Sequence, residues 1–181
     1  MNIVPTALPE VLLITPRIFR DNRGAFWETW NQKAFEEAGL PADWVQDNTS
    51  TSIRNVVRGI HYQLIQPQGK LIRATSGTIL DVAVDLRRSS PNFGRHVAVE
   101  LSAETGEMLY IPIGFGHGFA ALTSHVGVAY KVTDFYCPAG ERTLLWNDPD
   151  VAIPWPIAAT DAILAEKDRN GNTLRTAEVF A

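Results

Sequence analysis

Gly77-Thr78-Ile79-Leu80-Asp81-Val82-Ala83-Val84-Asp85-Leu86 alternates residue by residue: Leu80, Val82, Val84 and Leu86 fall on one face, while Asp81 and Asp85 share the other with Ile79 and Ala83. That is the signature of a strand. Working outward, Val97-Ala98-Val99-Glu100-Leu101 alternates in the same way, and Met108 to Ile113 places Leu109, Ile111 and Ile113 on one side. Val126 to Tyr136 reads as a longer strand with Val126, Val128, Tyr130, Val132, Asp134 and Tyr136 together. Turn chemistry separates the runs at Ser89-Ser90-Pro91-Asn92, Glu104-Thr105-Gly106 and Cys137-Pro138-Ala139-Gly140. Short strands at this spacing predict an all-β antiparallel sandwich or barrel rather than an alternating βα chain. Helix is scarce. Asn31 is placed to cap Gln32 to Ala38, with Phe35 and Ala38 buried and Gly39 as the stop; from Pro154 onward no regular element is legible.

The 181 residues, read as a single domain over 1–181, carry 16 Lys+Arg against 20 Asp+Glu, a formal net charge of −4. That balance and the lack of a basic stripe predict no nucleic-acid partner, so any bound anion must meet a local cluster of cations. The one cysteine, Cys137, excludes an intrachain disulfide framework and multi-cysteine metal sites. No apolar run approaches the ~20 residues that span a bilayer, and Met1 to Pro9 shows no secretory pattern. The expectation is a soluble cytoplasmic protein with no membrane partner.

Several chemistries have no residues to support them. Gly114-Phe115-Gly116-His117-Gly118 has the wrong spacing for a dinucleotide loop and lies between strand patterns. No serine sits in a nucleophile elbow, and Cys137 has no histidine nearby in sequence. Small β-barrels of the cupin type often hold a metal on two histidines one residue apart, a following carboxylate and a third histidine in a later strand. Pro112-Ile113-Gly114-Phe115-Gly116-His117 fits the later strand, but the earlier segment reads His61-Tyr62-Gln63, with glutamine as the second ligand and no carboxylate at the right distance. No metal is expected.

What remains is a set of polar groups in apolar surroundings. Arg58, His61 and Gln63 lie in Val56 to Gln63, Lys70 opens Lys70-Leu71-Ile72-Arg73-Ala74-Thr75, and His117 is embedded among glycines and phenylalanines. Buried cations are costly unless paired or wet. A histidine base, a lysine cation and a tyrosine phenol together suit proton abstraction next to a carbonyl, enolate stabilisation and reprotonation from the opposite face. Taken singly, each residue has a plainer reading: a structural core histidine, barrel-filling tyrosines, Lys70 guarding an edge strand, Arg23 bracing a turn. His96 and His125, flanked by turn residues, read as surface histidines.

From Ile3 to Asp168 the chain resembles the dTDP-4-dehydrorhamnose 3,5-epimerases. The motifs that carry the resemblance are Phe19-Arg20-Asp21-Asn22-Arg23-Gly24-Ala25-Phe26-Trp27-Glu28, Val45-Gln46-Asp47-Asn48, Val57-Arg58-Gly59-Ile60-His61-Tyr62-Gln63 and Gln68-Gly69-Lys70-Leu71. Asp81 to Arg87, Ser90-Pro91-Asn92-Phe93-Gly94, Ile111 to Phe119 and Trp146-Asn147-Asp148-Pro149 complete them. Ile60 and Gly116 depart from the commoner leucine and alanine, and Ala165-Glu166-Lys167-Asp168 is a looser form of the family's ending.

The resemblance implies a cupin-like jelly roll with a few short helices, working as a homodimer without metal or nucleotide cofactor on a dTDP-4-keto-6-deoxyhexose. It implies His61 as base, Tyr130 as acid, Asp168 as the carboxylate orienting the histidine, and Lys70 as the cation at the enolate oxygen. His117 would line the sugar pocket. Arg23, Glu28, Gln46, Asn48, Arg58, Glu141 and Lys167 match positions that hold the nucleotide sugar, and Tyr136 the aromatic that stacks on thymine. The implied reaction inverts C3 and C5 of dTDP-4-dehydro-6-deoxy-D-glucose. The alternatives are an enzyme inverting only one of these carbons, a catalytically silent sugar-nucleotide-binding cupin, and a metal-dependent cupin, against which Gln63 argues.

Overall fold

The computed structural model describes residues 1–181. The chain runs β1 (Asn2–Pro5), β2 (Leu12–Thr15), β3 (Phe19–Asp21), β4 (Gly24–Phe26), α1 (Gln32–Glu37), β5 (Gln46–Ile53), β6 (Val57–Gln63) and β7 (Lys70–Ser76). It continues with β8 (Thr78–Asp85), β9 (His96–Ser102), β10 (Met108–Ile111), β11 (Phe115–Ala121), β12 (His125–Val132), β13 (Glu141–Thr143) and α2 (Glu166–Arg169). A six-stranded sheet in the order β1-β2-β10-β7-β12-β5 faces a five-stranded sheet in the order β13-β6-β11-β8-β9, and β3–β4 form a separate hairpin. Every strand pair is antiparallel, giving the jelly roll that the resemblance implies.

The two faces read from β8 pack against different partners. Ile79 and Ala83 join Ile72, Leu109, Phe115, Phe119 and Val128 in the core between the sheets. Val82, Val84 and Leu86 face outward, where Val151, Ile153 and Ala177 of the C-terminal segment cover them. The tail therefore completes a second core, which explains why it lacks a periodicity of its own. It is held by short parallel bridges, Val56 with Ile163, Leu144 with Asn172 and Arg87 with Phe180. The third layer is α1, capped by Asn31 Oδ1 accepting from Ala34 N–H at 3.1 Å, with Phe35 packed against Ile14, Leu71 and Met108.

Four local expectations need correction. Strand β12 ends at Val132, so Tyr136 lies on the following loop rather than on one strand face with Tyr130. Ile113 falls beyond β10 and is exposed, because the chain turns there into β11. Ala38 is the exposed C-cap of α1, and Leu40, after the turn at Gly39, fills the buried position instead. His125 is exposed as expected, but His96 is half-buried with Nδ1 3.0 Å from the Val151 carbonyl. No helix is long and apolar enough to cross a membrane.

Candidate active site

The space between the sheets is apolar along most of its length and becomes polar in a cleft of about 290 Å³. All four catalytic candidates, His61, Lys70, Tyr130 and Asp168, line it. So do Arg58, His117, Tyr136, Glu141 and Lys167.

Local strand geometry explains this convergence. Arg58 and His61 are an odd number of residues apart and would point to opposite faces of a regular strand. Here Arg58 pairs with Phe119 and His61 with His117, so three steps on β6 oppose two on β11. The extra residue falls at Gly59-Ile60 and acts as a bulge, which re-aims the strand and brings both side chains to the cleft. Gly59 is required there: it has φ +116°, and a Cβ would stand 2.5 Å from Gly118 Cα. On the facing sheet, Tyr130 of β12 shares the inward face with Val126 and Val128, and Lys70 of β7 shares it with Ile72.

Two histidine–carboxylate pairs stand side by side. His61 Nε2 lies 2.5 Å from Asp168 Oδ1. His117 Nε2 lies 2.8 Å from Asp81 Oδ1. Each carboxylate accepts an Nε2–H and thereby selects the tautomer whose Nδ1 is free. Both carboxylates are buried. The sequence places Asp81 on one strand face with Ile79 and Ala83, but neither the inward turn of that face nor the partnership with His117 was legible. Burial pushes the Asp81 carboxyl above the usual range against the opposing pull of His117.

Lys70 is buried with a single long hydrogen bond from Nζ to the Gln68 carbonyl at 3.4 Å. Desolvation lowers its ammonium to about 8. β7 lies inside the six-stranded sheet, between β10 and β12, so Lys70 does not guard an edge. Burial raises the Tyr130 phenol above its ordinary value, so it holds its proton at neutral pH.

At the mouth, Arg58 donates through Nε to Ser52 Oγ at 3.1 Å and through Nη2 to the Thr51 carbonyl at 3.0 Å. Glu141 accepts from Lys167 Nζ at 2.7 Å and from the Tyr136 hydroxyl at 3.1 Å. Burial raises the Glu141 carboxyl, but Lys167 outweighs it and leaves the group below the usual carboxylate value. The Tyr136 ring remains half exposed.

Four binding candidates lie outside the cleft. Gln46 stands at the rim, accepting from Tyr136 N–H at 3.2 Å and donating to Asn48 Oδ1 at 2.9 Å. Arg23 and Glu28 do not line the cleft either. Arg23 braces its own turn through Asp21 at 2.6 Å, and Glu28 accepts from Asn31 Nδ2 at 3.1 Å. Sequence reasoning missed Ser50, whose buried hydroxyl lines the cleft without a hydrogen-bond partner, and the use made of Gln63. No three His, Cys, Asp or Glu side chains gather in a metal-holding cluster.

Comparison with known proteins adds independent findings. The family described as dTDP-4-dehydrorhamnose 3,5-epimerase matches residues 5–176. A dTDP-4-dehydrorhamnose 3,5-epimerase from Pseudomonas aeruginosa is 51% identical over 181 residues, covering 99% of each chain. The crystal structure of a Legionella pneumophila dTDP-6-deoxy-D-glucose-3,5-epimerase in complex with dTDP-4-keto-L-rhamnose superposes with a TM-score of 0.94 at 42% identity, covering 98% of this chain and 94% of that one. A dTDP-4-dehydrorhamnose 3-epimerase from Streptomyces niveus is more distant, at 35% identity over 185 residues, covering 97% of this chain and 89% of that one. With the jelly roll and cleft described above, these matches establish that the chain belongs to the dTDP-4-dehydrorhamnose 3,5-epimerase family.

Proposed function

We propose that the protein epimerises C3 and C5 of dTDP-4-dehydro-6-deoxy-D-glucose, giving dTDP-4-dehydro-L-rhamnose, with His61 as base, Tyr130 as acid and Lys70 as the enolate-stabilising cation. One observation carries this reading. His61 and Tyr130 belong to facing sheets, so a sugar ring held between the sheets presents one face to each. At each centre, His61 Nδ1 takes the proton from the carbon α to the C4 ketone, and the electron pair moves onto the C4 oxygen. The Lys70 ammonium holds that enolate oxygen, and its burial from water strengthens the interaction. Tyr130 then returns a proton to the opposite face. As Tyr130 gives up its proton, the electron pair returns from the C4 oxygen to carbon. His61 then passes its proton to solvent and Tyr130 regains one before the second inversion, so the sequence balances without a redox partner.

Arg58 and Lys167 supply the local positive charge for the diphosphate of an otherwise acidic protein, and Tyr136 offers its half-exposed ring to the thymine. The working unit is a homodimer. The β3–β4 hairpin shows Phe19 at 52% and Phe26 at 71% exposure. Aromatics of this size bury roughly 150–250 Å² each in full, so covering the half or more still exposed on both rings contributes a few kcal/mol in total. A second copy is the occupant that accounts for both the exposed rings and the position of Arg23 and Glu28 outside their own cleft: the hairpin, with Glu28 just beyond it, reaches to the cleft of its neighbour.

The test is NMR of the C3 and C5 protons during incubation with dTDP-4-dehydro-6-deoxy-D-glucose in deuterium oxide. Deuterium at both carbons, with an L-rhamnose product once a reductase is added, supports the double epimerase. Inversion at one carbon identifies a single epimerase, and binding without exchange at either removes the catalytic roles of His61 and Tyr130.

A further inference from the structure

We propose that Gln63 is a positioning residue for the nucleotide half of the substrate, clamping the loop that presents Tyr136. This rests on the reading that Tyr136 carries the nucleobase.

Gln63 ends β6, two residues beyond His61, and is buried. Where a metal-binding cupin would place an imidazole, its carboxamide is spent on backbone groups. Oε1 accepts from Cys137 N–H at 3.0 Å. Nε2 donates to the Phe135 carbonyl at 3.2 Å and to the Gln66 carbonyl at 2.7 Å. One amide thus grips the chain immediately before and immediately after Tyr136. The remaining backbone donor, Tyr136 N–H, is taken by Gln46 Oε1.

Neighbouring amides extend the grip. Gln68 Nε2 donates to the Asp134 carbonyl at 2.8 Å, and Gln66 Nε2 to Asp134 Oδ1 at 3.1 Å. Strand β12 has ended at Val132, so no sheet ladder holds residues 134–137. A stacking aromatic on an unladdered loop needs its backbone fixed by other means, because ordering it on binding would cost affinity. A carboxamide suits this position: it donates and accepts at once, which neither a carboxylate nor an imidazole does with the same reach.

The test is a double-mutant cycle on the full-length protein, with dTDP as the calorimetric probe and kcat and KM for the nucleotide sugar. Gln63→Met should weaken dTDP about threefold to tenfold and raise KM, with kcat within about twofold of the parent. In a Tyr136→Ala background it should add nothing, because coupled residues are not additive. Gln63→Glu keeps the shape and the acceptor for Cys137 N–H; it serves as the second variant and should weaken dTDP as well. Unchanged dTDP affinity in folded Gln63 variants, full additivity with Tyr136→Ala, or a fall in kcat at constant affinity would each overturn the proposal. Full dTDP affinity in Tyr136→Ala alone would instead show that the underlying reading of Tyr136 has failed, and the clamp with it.

Discussion

His61 Nε2 lies 2.5 Å from Asp168 Oδ1 across 107 residues of chain. The contact joins a strand of the five-stranded sheet to a four-residue helix of the tail. Parallel bridges on both sides of α2, at Ile163 and Asn172, seat Asp168. Because Asp168 is buried and aimed at Nε2, the proposed mechanism assigns it the task of keeping the basic nitrogen at Nδ1. Asp168→Asn preserves size but lets the side-chain amide donate to Nε2 and favour the other tautomer. Turnover should fall by about 10²–10⁴-fold, with dTDP affinity within about twofold. A loss of less than about tenfold by steady-state assay would contradict the orienting role.

In the proposed mechanism Lys70 sets the alkaline limit. Its lowered value of about 8 means that the ammonium needed at the enolate oxygen is lost well below the usual lysine range. kcat/KM should therefore fall above pH 8, and the raised Tyr130 phenol does not account for a limb at that pH. The stability sign is opposite. Between about 8 and 10.5 the unfolded chain binds the extra proton, so the Lys70 contribution is fully present above 10.5 and is lost as pH falls through about 8. At pH 7 the folded protein therefore carries a buried charge without a carboxylate partner. Lys70→Met should abolish turnover yet stabilise the protein by about 1–3 kcal/mol. A lower midpoint in urea at pH 7 would show that the ammonium is better satisfied than its single long bond indicates.

Tyr130→Phe separates proton loss from proton return. The variant keeps the ring that packs on the core and removes only the hydroxyl. Substrate hydrogen should still wash out through His61, while inverted product falls by about 10²-fold or more. NMR in deuterium oxide reads both quantities in one sample. Equal losses in exchange and product would assign Tyr130 to binding or packing instead.

The division of β8 into two faces and the shared face of Val126, Val128, Tyr130 and Val132 in β12 were legible as alternation. Which β8 face turns inward was not, because the tail buries the other one as well. The convergence of Arg58 with His61 was not, since it depends on an extra residue at Gly59-Ile60 and on how closely β6 approaches β11. Nor was the end of β12. Asp134 and Tyr136 continue the alternation in sequence, yet the glutamine side chains of residues 63–68 hold that segment as a loop. The tail gave no periodic signal because it packs as single residues against an existing sheet. Site chemistry was read from an ordered set of motifs, and spacing alone did not gather them.

Arg23 offers a test of the second copy. In its own subunit it is bound to Asp21 and lies outside the cleft, so a loss of activity on Arg23→Ala has to come from a neighbour's site. Arg23→Ala and His61→Ala should each be severely impaired when prepared separately. Mixed, dissociated and reassociated, random pairing makes about half of the dimers hybrids, each with one doubly defective and one intact cleft. About a quarter of the parent's sites should therefore recover. If Arg23 served its own cleft, every site in the hybrid would keep one defect and the mixture would gain nothing. Phe26→Ser, which strips the most exposed aromatic of the hairpin, should shift sedimentation toward the monomer and lower turnover with it. An active monomer would contradict the crossing hairpin.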